Sequence, residues 1–382
     1  MQLPPFLLDQ WLNAYEFADP PIRYNLAAST GPKWTLGELL DLACGSRKQL
    51  EATPVSYGPP AGSLALRQRV AELHDVDPDW VVITTGAAEA LSAAFCLASE
   101  RDATVVVPQP GFSAIPVMAQ AWGSRIRTYE LSRDQRFELT ADRILAEVDD
   151  RTRLVVVNSP HNPTGAVMAP LEIAKLAEAL SGRNVPLLVD EVYHPLYFGA
   201  AAPSAARLRN TIVVGDMSKA LSLAGLRVGW LIDRDAARRE QLTEMRMYFT
   251  ISGSPITEAI AVIALAARHA ILERLETVTR TNLEQLDEFA HAQRHSIGWV
   301  RPAGGTVAFP WWLDGRDARP FCEALANAGV LMAPGDCFDA PAHFRVGFGA
   351  QVDRFRDALD IAANVIAAST KAGGTAVRAA RK

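Results

Sequence analysis

Short, unbroken apolar runs alternate with stretches of helical periodicity through the middle of this chain. Residues 81–85, 104–107, 154–157, 187–189 and 211–214 are rich in valine, isoleucine and threonine, and turn residues or charges bound them. Continuous rather than alternating hydrophobicity belongs to strands buried on both faces. Between them lie helical patterns such as residues 86–98 and 170–180. Strands alternating with helices predict an α/β fold whose mainly parallel sheet is covered on both sides. This large domain is placed at residues 46–275.

Residues 255–293 form a long, alanine-rich helical pattern that leaves the large domain and enters a second one. Strand-like pieces follow at 306–311, 330–334 and 344–348, then a helix at 353–368, so residues 276–370 read as a smaller α+β domain. Residues 1–45 hold no complete unit and are expected to pack on it. Residues 371–382, rich in Gly, Ala and basic residues, read as a frayed tail.

A chain of 382 residues exceeds what one core usually serves. The net charge of −5 gives no electrostatic reason to expect nucleic acid or an anionic membrane as partner. No run of about twenty apolar residues occurs. The start, Met1-Gln2-Leu3-Pro4-Pro5, lacks the basic-then-apolar pattern of a signal peptide. The four cysteines have no ligand or disulfide spacing and the seven histidines no metal motif. A reducing cytosol with free thiols is the expectation, and no metal.

The chemistry concentrates where strands end. Lys219 stands alone among small and apolar residues, with Arg227 eight positions on. A lysine with little water around it has a lowered pKa, because desolvation disfavours the ammonium. Its free amine can form a Schiff base with a carbonyl, while an arginine can fork onto a phosphate. A carbonyl and a phosphate on one small molecule suggest pyridoxal 5′-phosphate.

Other residues join it at strand ends, where open α/β sheets gather ligands. Gly86-Ala87-Ala88 opens a helix after the first strand, so its amides could cradle a phosphate. Asp190 ends a buried strand and needs a cationic partner, which a protonated pyridine nitrogen would supply. Tyr193 could donate to a phenolate oxygen on the same ring; a helix N-cap aspartate beside a core tyrosine is the alternative. Asn162 sits in a Pro/Gly loop that is either an Asx turn or part of a site. Phe112 follows the second strand, as a ring-stacking group or as core. Arg345, inside the apolar run Phe344-Arg345-Val346-Gly347-Phe348, suits a bidentate clamp on a carboxylate better than a buried ion pair.

Together these residues make the chain resemble the class I/II aminotransferases, the fold-type I pyridoxal-phosphate enzymes related to aspartate aminotransferase. The likeness runs from Tyr57-Gly58-Pro59-Pro60 to Phe344-Arg345-Val346-Gly347-Phe348, with every landmark in family order. It implies a seven-stranded sheet, with Lys219 as the Schiff-base lysine and proton shuttle. Asp190 would pair with the ring nitrogen, Tyr193 and Asn162 with its phenolate oxygen, and Phe112 with the ring face. Ala87, Ala88, Ser218 and Arg227 would hold the phosphate. Tyr57 would reach that phosphate from the neighbouring subunit, implying a homodimer with shared active sites. Arg345 would grip the substrate carboxylate, beneath a strip, Ala28-Ser29-Thr30-Gly31, that brings Ser29 to the substrate. Asp216 departs from the hydroxyl many relatives carry, and should turn away from the phosphate or meet a cation. Looser similarity, in residues 302–310 and 333–338, points to the branch containing capreomycidine synthase.

Three functions compete. The leading one is transfer of an amino group between an amino acid and a 2-oxo acid. The second keeps the cofactor but ends in β- or γ-elimination or cyclisation. The third, a non-catalytic pyridoxal-phosphate sensor, is disfavoured by the presence of Lys219, Asp190 and Arg345 together.

Overall fold

The computed structural model describes residues 3–379, with side chains to residue 368. Seven strands form one sheet: β1 Val81–Thr84, β2 Thr104–Gln109, β3 Arg125–Glu130, β4 Thr152–Asn158, β5 Leu187–Asp190, β6 Thr211–Asp216 and β7 Gly229–Asp233. Their order is β1-β7-β6-β5-β4-β2-β3. All pairings are parallel except those of β7, which runs antiparallel to both β1 and β6. Every residue of β1, β4 to β7 and most of β2 is buried or nearly so, which is why those sequences run apolar without alternation. Separate hydrophobic clusters cover the two faces.

Two strands escaped the apolar pattern. β3 carries exposed charged positions, and Arg125 and Arg127 pair with Asp102, Glu147 and Asp149. It lies at the sheet edge, where charges protect an unpaired ladder. β7 follows Arg227 so closely that its five residues merge with the lysine segment.

The helical pattern at 255–293 is two helices, Pro255–Ala266 and Arg268–Ala292, bent by 72°. The first packs on helix Leu64–His74 and the second on the final helix. One apolar stripe cannot face two surfaces of different direction, so the chain breaks at Ala267. No single helix among the described residues is long and apolar enough to cross a membrane.

After Gly298, short strands β8 Val307–Ala308, β9 Ala333–Pro334 and β10 Phe344–Gly347 form a small antiparallel sheet. The first segment ties onto this unit: Tyr24–Asn25 pairs with Val330–Leu331, and Trp11 Nε1 donates to Met332 O at 3.0 Å. Trp11 and Tyr24 are core residues there. The last helix runs Phe355–Ala379, past residue 371 where a tail was expected. An alanine-rich segment propagates a helix that is already nucleated. Residues 380–382 lie outside the described residues.

Candidate active site

The carboxyl ends of β1, β4, β5 and β6 converge. Asn158 and Asp190 are register partners, and Gly229 lies opposite both Thr84 and Asp216. Side chains leaving these ends therefore meet without any of their loops being long.

At the β1 end, helix Gly86–Leu97 starts on Gly86 in the left-handed conformation, φ +76°. A Cβ there would collide with Arg227 Nη2, so only glycine lets the guanidinium lie against the helix N-terminus. Arg227 is exposed, with Nη1 donating to Ala224 O at 3.2 Å. Gly229 must also be small, since a Cβ would strike the Gly86 backbone. Ala88 faces solvent beside buried Ala87. Ser218 is buried, and its amide donates to Asp216 Oδ1 at 2.8 Å. Asp216 thus accepts a backbone N–H two residues on, and its charge acts on both Lys219 and Asp190.

At the β5 end, Asp190 is 5% exposed and accepts a single side-chain hydrogen bond, from Val192 N at 3.2 Å. Burial pushes its carboxyl up to about 7, and the Asp216 charge adds to the rise. Tyr193 is also buried, which raises its phenol pKa. The Arg345 charge and the Ser29 and Thr306 hydroxyls act against that rise, yet none reaches hydrogen-bonding geometry. Tyr193 Oη is left buried without a partner.

Lys219 follows β6 in a tight turn and donates from Nζ to Ser29 Oγ at 3.0 Å. Burial depresses its pKa, helped by the Arg345 and Arg227 charges and opposed by Asp216 and Asp190. Arg345, on β10, is 1% exposed; its Nη1 donates to Asn162 Oδ1 at 2.9 Å and its Nη2 to Ala27 O at 2.6 Å. Its Nε is buried with no acceptor. Asn162 N donates to Asn158 Oδ1 at 2.7 Å, and Asn158 Nδ2 to Asp190 O at 3.0 Å. A continuous chain of hydrogen bonds thus links Arg345 to the Asp190 backbone.

Asn158 carried no expected role, although its place as the last residue of a buried strand was a usable signal. Phe112 is half-buried at the β2 end, with Phe6 edge-on at 5.9 Å. Tyr57 stands apart from these groups, 82% exposed.

A family model for aminotransferase class I and II matches residues 47–365. The chain belongs to the class I and II aminotransferases. Among relatives of this family member, capreomycidine synthase of Streptomyces vinaceus is 33% identical over 353 residues, covering 91% of this chain and 90% of its own. The valine–pyruvate aminotransferase of Mycobacterium tuberculosis is 30% identical, covering 94% and 95%. A crystal structure of a PLP-dependent aminotransferase from Streptococcus suis superposes with a TM-score of 0.86 at 26% identity, covering 96% of this chain and 97% of that one. This aminotransferase-family protein is a pyridoxal-phosphate enzyme by that kinship.

The residues present fit the group. A carboxyl held at about 7 awaits a cation, a buried phenol lacks a partner, and Gly86 clears a cup beside an exposed guanidinium.

Proposed function

We propose that this enzyme transfers an amino group between an amino acid and a 2-oxo acid. The buried, acceptor-free Nε of Arg345 carries the amino-acid part of this reading, since a guanidinium with an open N–H inside an apolar strand is a place for a carboxylate, and kinship to aminotransferases favours transfer as the outcome. Lys219 would hold the cofactor, Asp190 its ring nitrogen, and Tyr193 with Asn162 its phenolate oxygen. Ala87 and Ala88 amides, Ser218 and Arg227 would take the phosphate, and Phe112 the ring face. When bound, pyridoxal 5′-phosphate supplies an aldehyde that captures the amine and a ring that accepts the electron pair left at Cα. Arg345 fixes the substrate's orientation, and Lys219 takes the proton from one carbon and returns it to another. Depression of its pKa favours the free amine that this work needs.

Tyr57, with its ring 82% exposed in one chain, supports a homodimer in which it completes the partner's phosphate cup. Free Cys44, Cys96, Cys322 and Cys337 suit a reducing cytosol.

A second reading, cyclisation or elimination, is favoured by the 33% identity to capreomycidine synthase. A half-reaction screen separates them. The cofactor-loaded enzyme is mixed with each amino acid in turn while its visible spectrum and free ammonia are followed. Transamination predicts a stoichiometric bleach to the amine form, reversed by a 2-oxo acid. Catalytic ammonia release or a cyclic product, without that bleach, overturns it.

A further inference from the structure

Among the described residues, one side chain meets the Lys219 amine in a hydrogen bond, and it comes from the far end of the chain. Ser29 Oγ accepts from Nζ at 3.0 Å. The strip that carries it is held on both flanks. Asn25 Oδ1 accepts the amides of Ala27 and Ala28 at 3.0 and 3.1 Å, which folds the strip into a turn. On one flank, Gly347 N donates to Leu26 O at 2.6 Å, and Arg345 Nη2 grips Ala27 O. A Cβ on Gly347 would collide with Ala28 O, so glycine is required for that approach. On the other flank, a Cβ on Gly31 would collide with Ser222 Oγ, in the turn that follows Lys219. Ser222 has φ +62°, outside the comfortable range of an ordinary residue, so that turn is also fixed by its surroundings. Ser29 is thus a hydroxyl on a clamped backbone, not a mobile loop residue that happens to lie near.

We infer that Ser29 is a positioning residue for Lys219: its hydroxyl holds the amine whenever that amine is not bonded to the cofactor, and fixes the point from which it takes and returns the Cα proton. This rests on Lys219 being the cofactor lysine, as proposed above. The bookkeeping of protons is simple. The proton leaves Cα for Nζ, turning amine into ammonium, and Ser29 keeps its own, its oxygen accepting an N–H in both states. A four-carbon side chain left free would sample many rotamers, and a base displaced by about 1 Å can lose about a hundredfold in rate. The same clamp links Ser29 to Arg345 through the strip's backbone, so the amine and the carboxylate grip share one rigid reference.

The test uses full-length S29A and S29T loaded with pyridoxal 5′-phosphate. Both should keep the visible band, which shows an intact site. In S29A the single-turnover half-reaction with the best amino acid of the screen should slow about 10- to 100-fold, with the substrate constant changed less than about threefold. S29T should recover to within about threefold of wild type. A second readout needs no turnover: the rate at which cofactor-free protein takes up pyridoxal 5′-phosphate, followed against pH. Its midpoint should fall by about 0.5–1 unit in S29A, because the lost acceptor favoured the ammonium.

A wild-type pH profile and rate in S29A overturn the inference. So does a weakened substrate constant with unchanged rate, which would make Ser29 a substrate contact alone, or a threonine variant as slow as alanine. Failure of the underlying reading looks different: wild type would take up no coloured cofactor, or K219A would keep the band.

Discussion

Asp190 offers a test in which a residue proposed to meet the cofactor makes the protein less stable. Its carboxyl sits at 5% exposure with one backbone donor, and burial lifts its pKa from 3.8 to about 7. Each pKa unit is about 1.36 kcal/mol, so the ionised form costs the cofactor-free fold about 4 kcal/mol. The sign follows from proton counting. Between pH 3.8 and about 7 the native state keeps the proton and the unfolded chain has lost it, so stability falls as pH climbs through that window. Asp190→Asn removes the ionisation and should flatten this part of the profile. With an unfolding entropy of about 2.1 cal/mol/K per residue, 4 kcal/mol is worth about 5 °C in a chain of this size. Thermal melts of cofactor-free wild type and variant should therefore nearly coincide at pH 4 and diverge by about 5 °C at pH 8, the variant being the more stable. Adding pyridoxal 5′-phosphate at pH 8 should stabilise wild type much more than the variant, since only wild type gains a carboxylate–cation pair. Parallel melting curves across the pH range would refute the argument that burial of Asp190, without an ion-pair partner in contact, dominates its ionisation.

Other residues give sharper local outcomes. Arg345→Ala should raise the Michaelis constant for every amino acid alike by about 100-fold, because a charge-assisted bidentate grip is worth about 3 kcal/mol; an unchanged constant removes its assigned role. Gly86→Ala should weaken binding of pyridoxal 5′-phosphate at least about tenfold, since its Cβ displaces the Arg227 guanidinium, and should leave phosphate-free pyridoxal nearly unaffected in equilibrium dialysis. Equal losses for both ligands would show that the cup is not the phosphate site. Glu191 is buried beside Asp190, accepting from Ser204 Oγ at 2.6 Å and Ala205 N at 2.7 Å, with His74 Nδ1 at 3.5 Å. Burial works to raise its carboxyl, but the His74 and His194 rings beside it and the hydrogen bond from Ser204 outweigh that and hold the pKa below 4.5. Glu191→Gln should cost about 2–4 kcal/mol at pH 7. That gap in denaturant midpoint should shrink as pH falls below 4.5 through the depressed pKa, and a pH-independent gap would contradict the assignment.

What could be read ahead of the structure depended on how each feature is encoded. β4, β5 and β6 were legible because burial on both faces forces an unbroken apolar run, and their short length and β-branched residues separate that run from a buried helix. β3 was not, since an edge strand needs charges more than hydrophobicity. The bend at Ala267 was invisible for a related reason: both halves are good helices, and only the existence of two differently oriented surfaces breaks them. The same contrast divides the site. Asp190, Asn162, Lys219 and Gly86 stand within a few residues of strand ends, so local sequence both marks and places them. Ser29 and Ala27 reach Lys219 and Arg345 across 190 and 318 positions. The resemblance placed Ser29 at the substrate, but its contact with the Lys219 amine was not legible, because it is made by close backbone approach at Gly31 and Gly347. Those two glycines are therefore the sequence's record of the strip's position. A side chain at either would push the strip outward, and with it the hydroxyl from the amine and the carbonyl from the guanidinium. On the proposed reading, the geometry around Lys219 and Arg345 depends on two glycines that contribute no side chain to it.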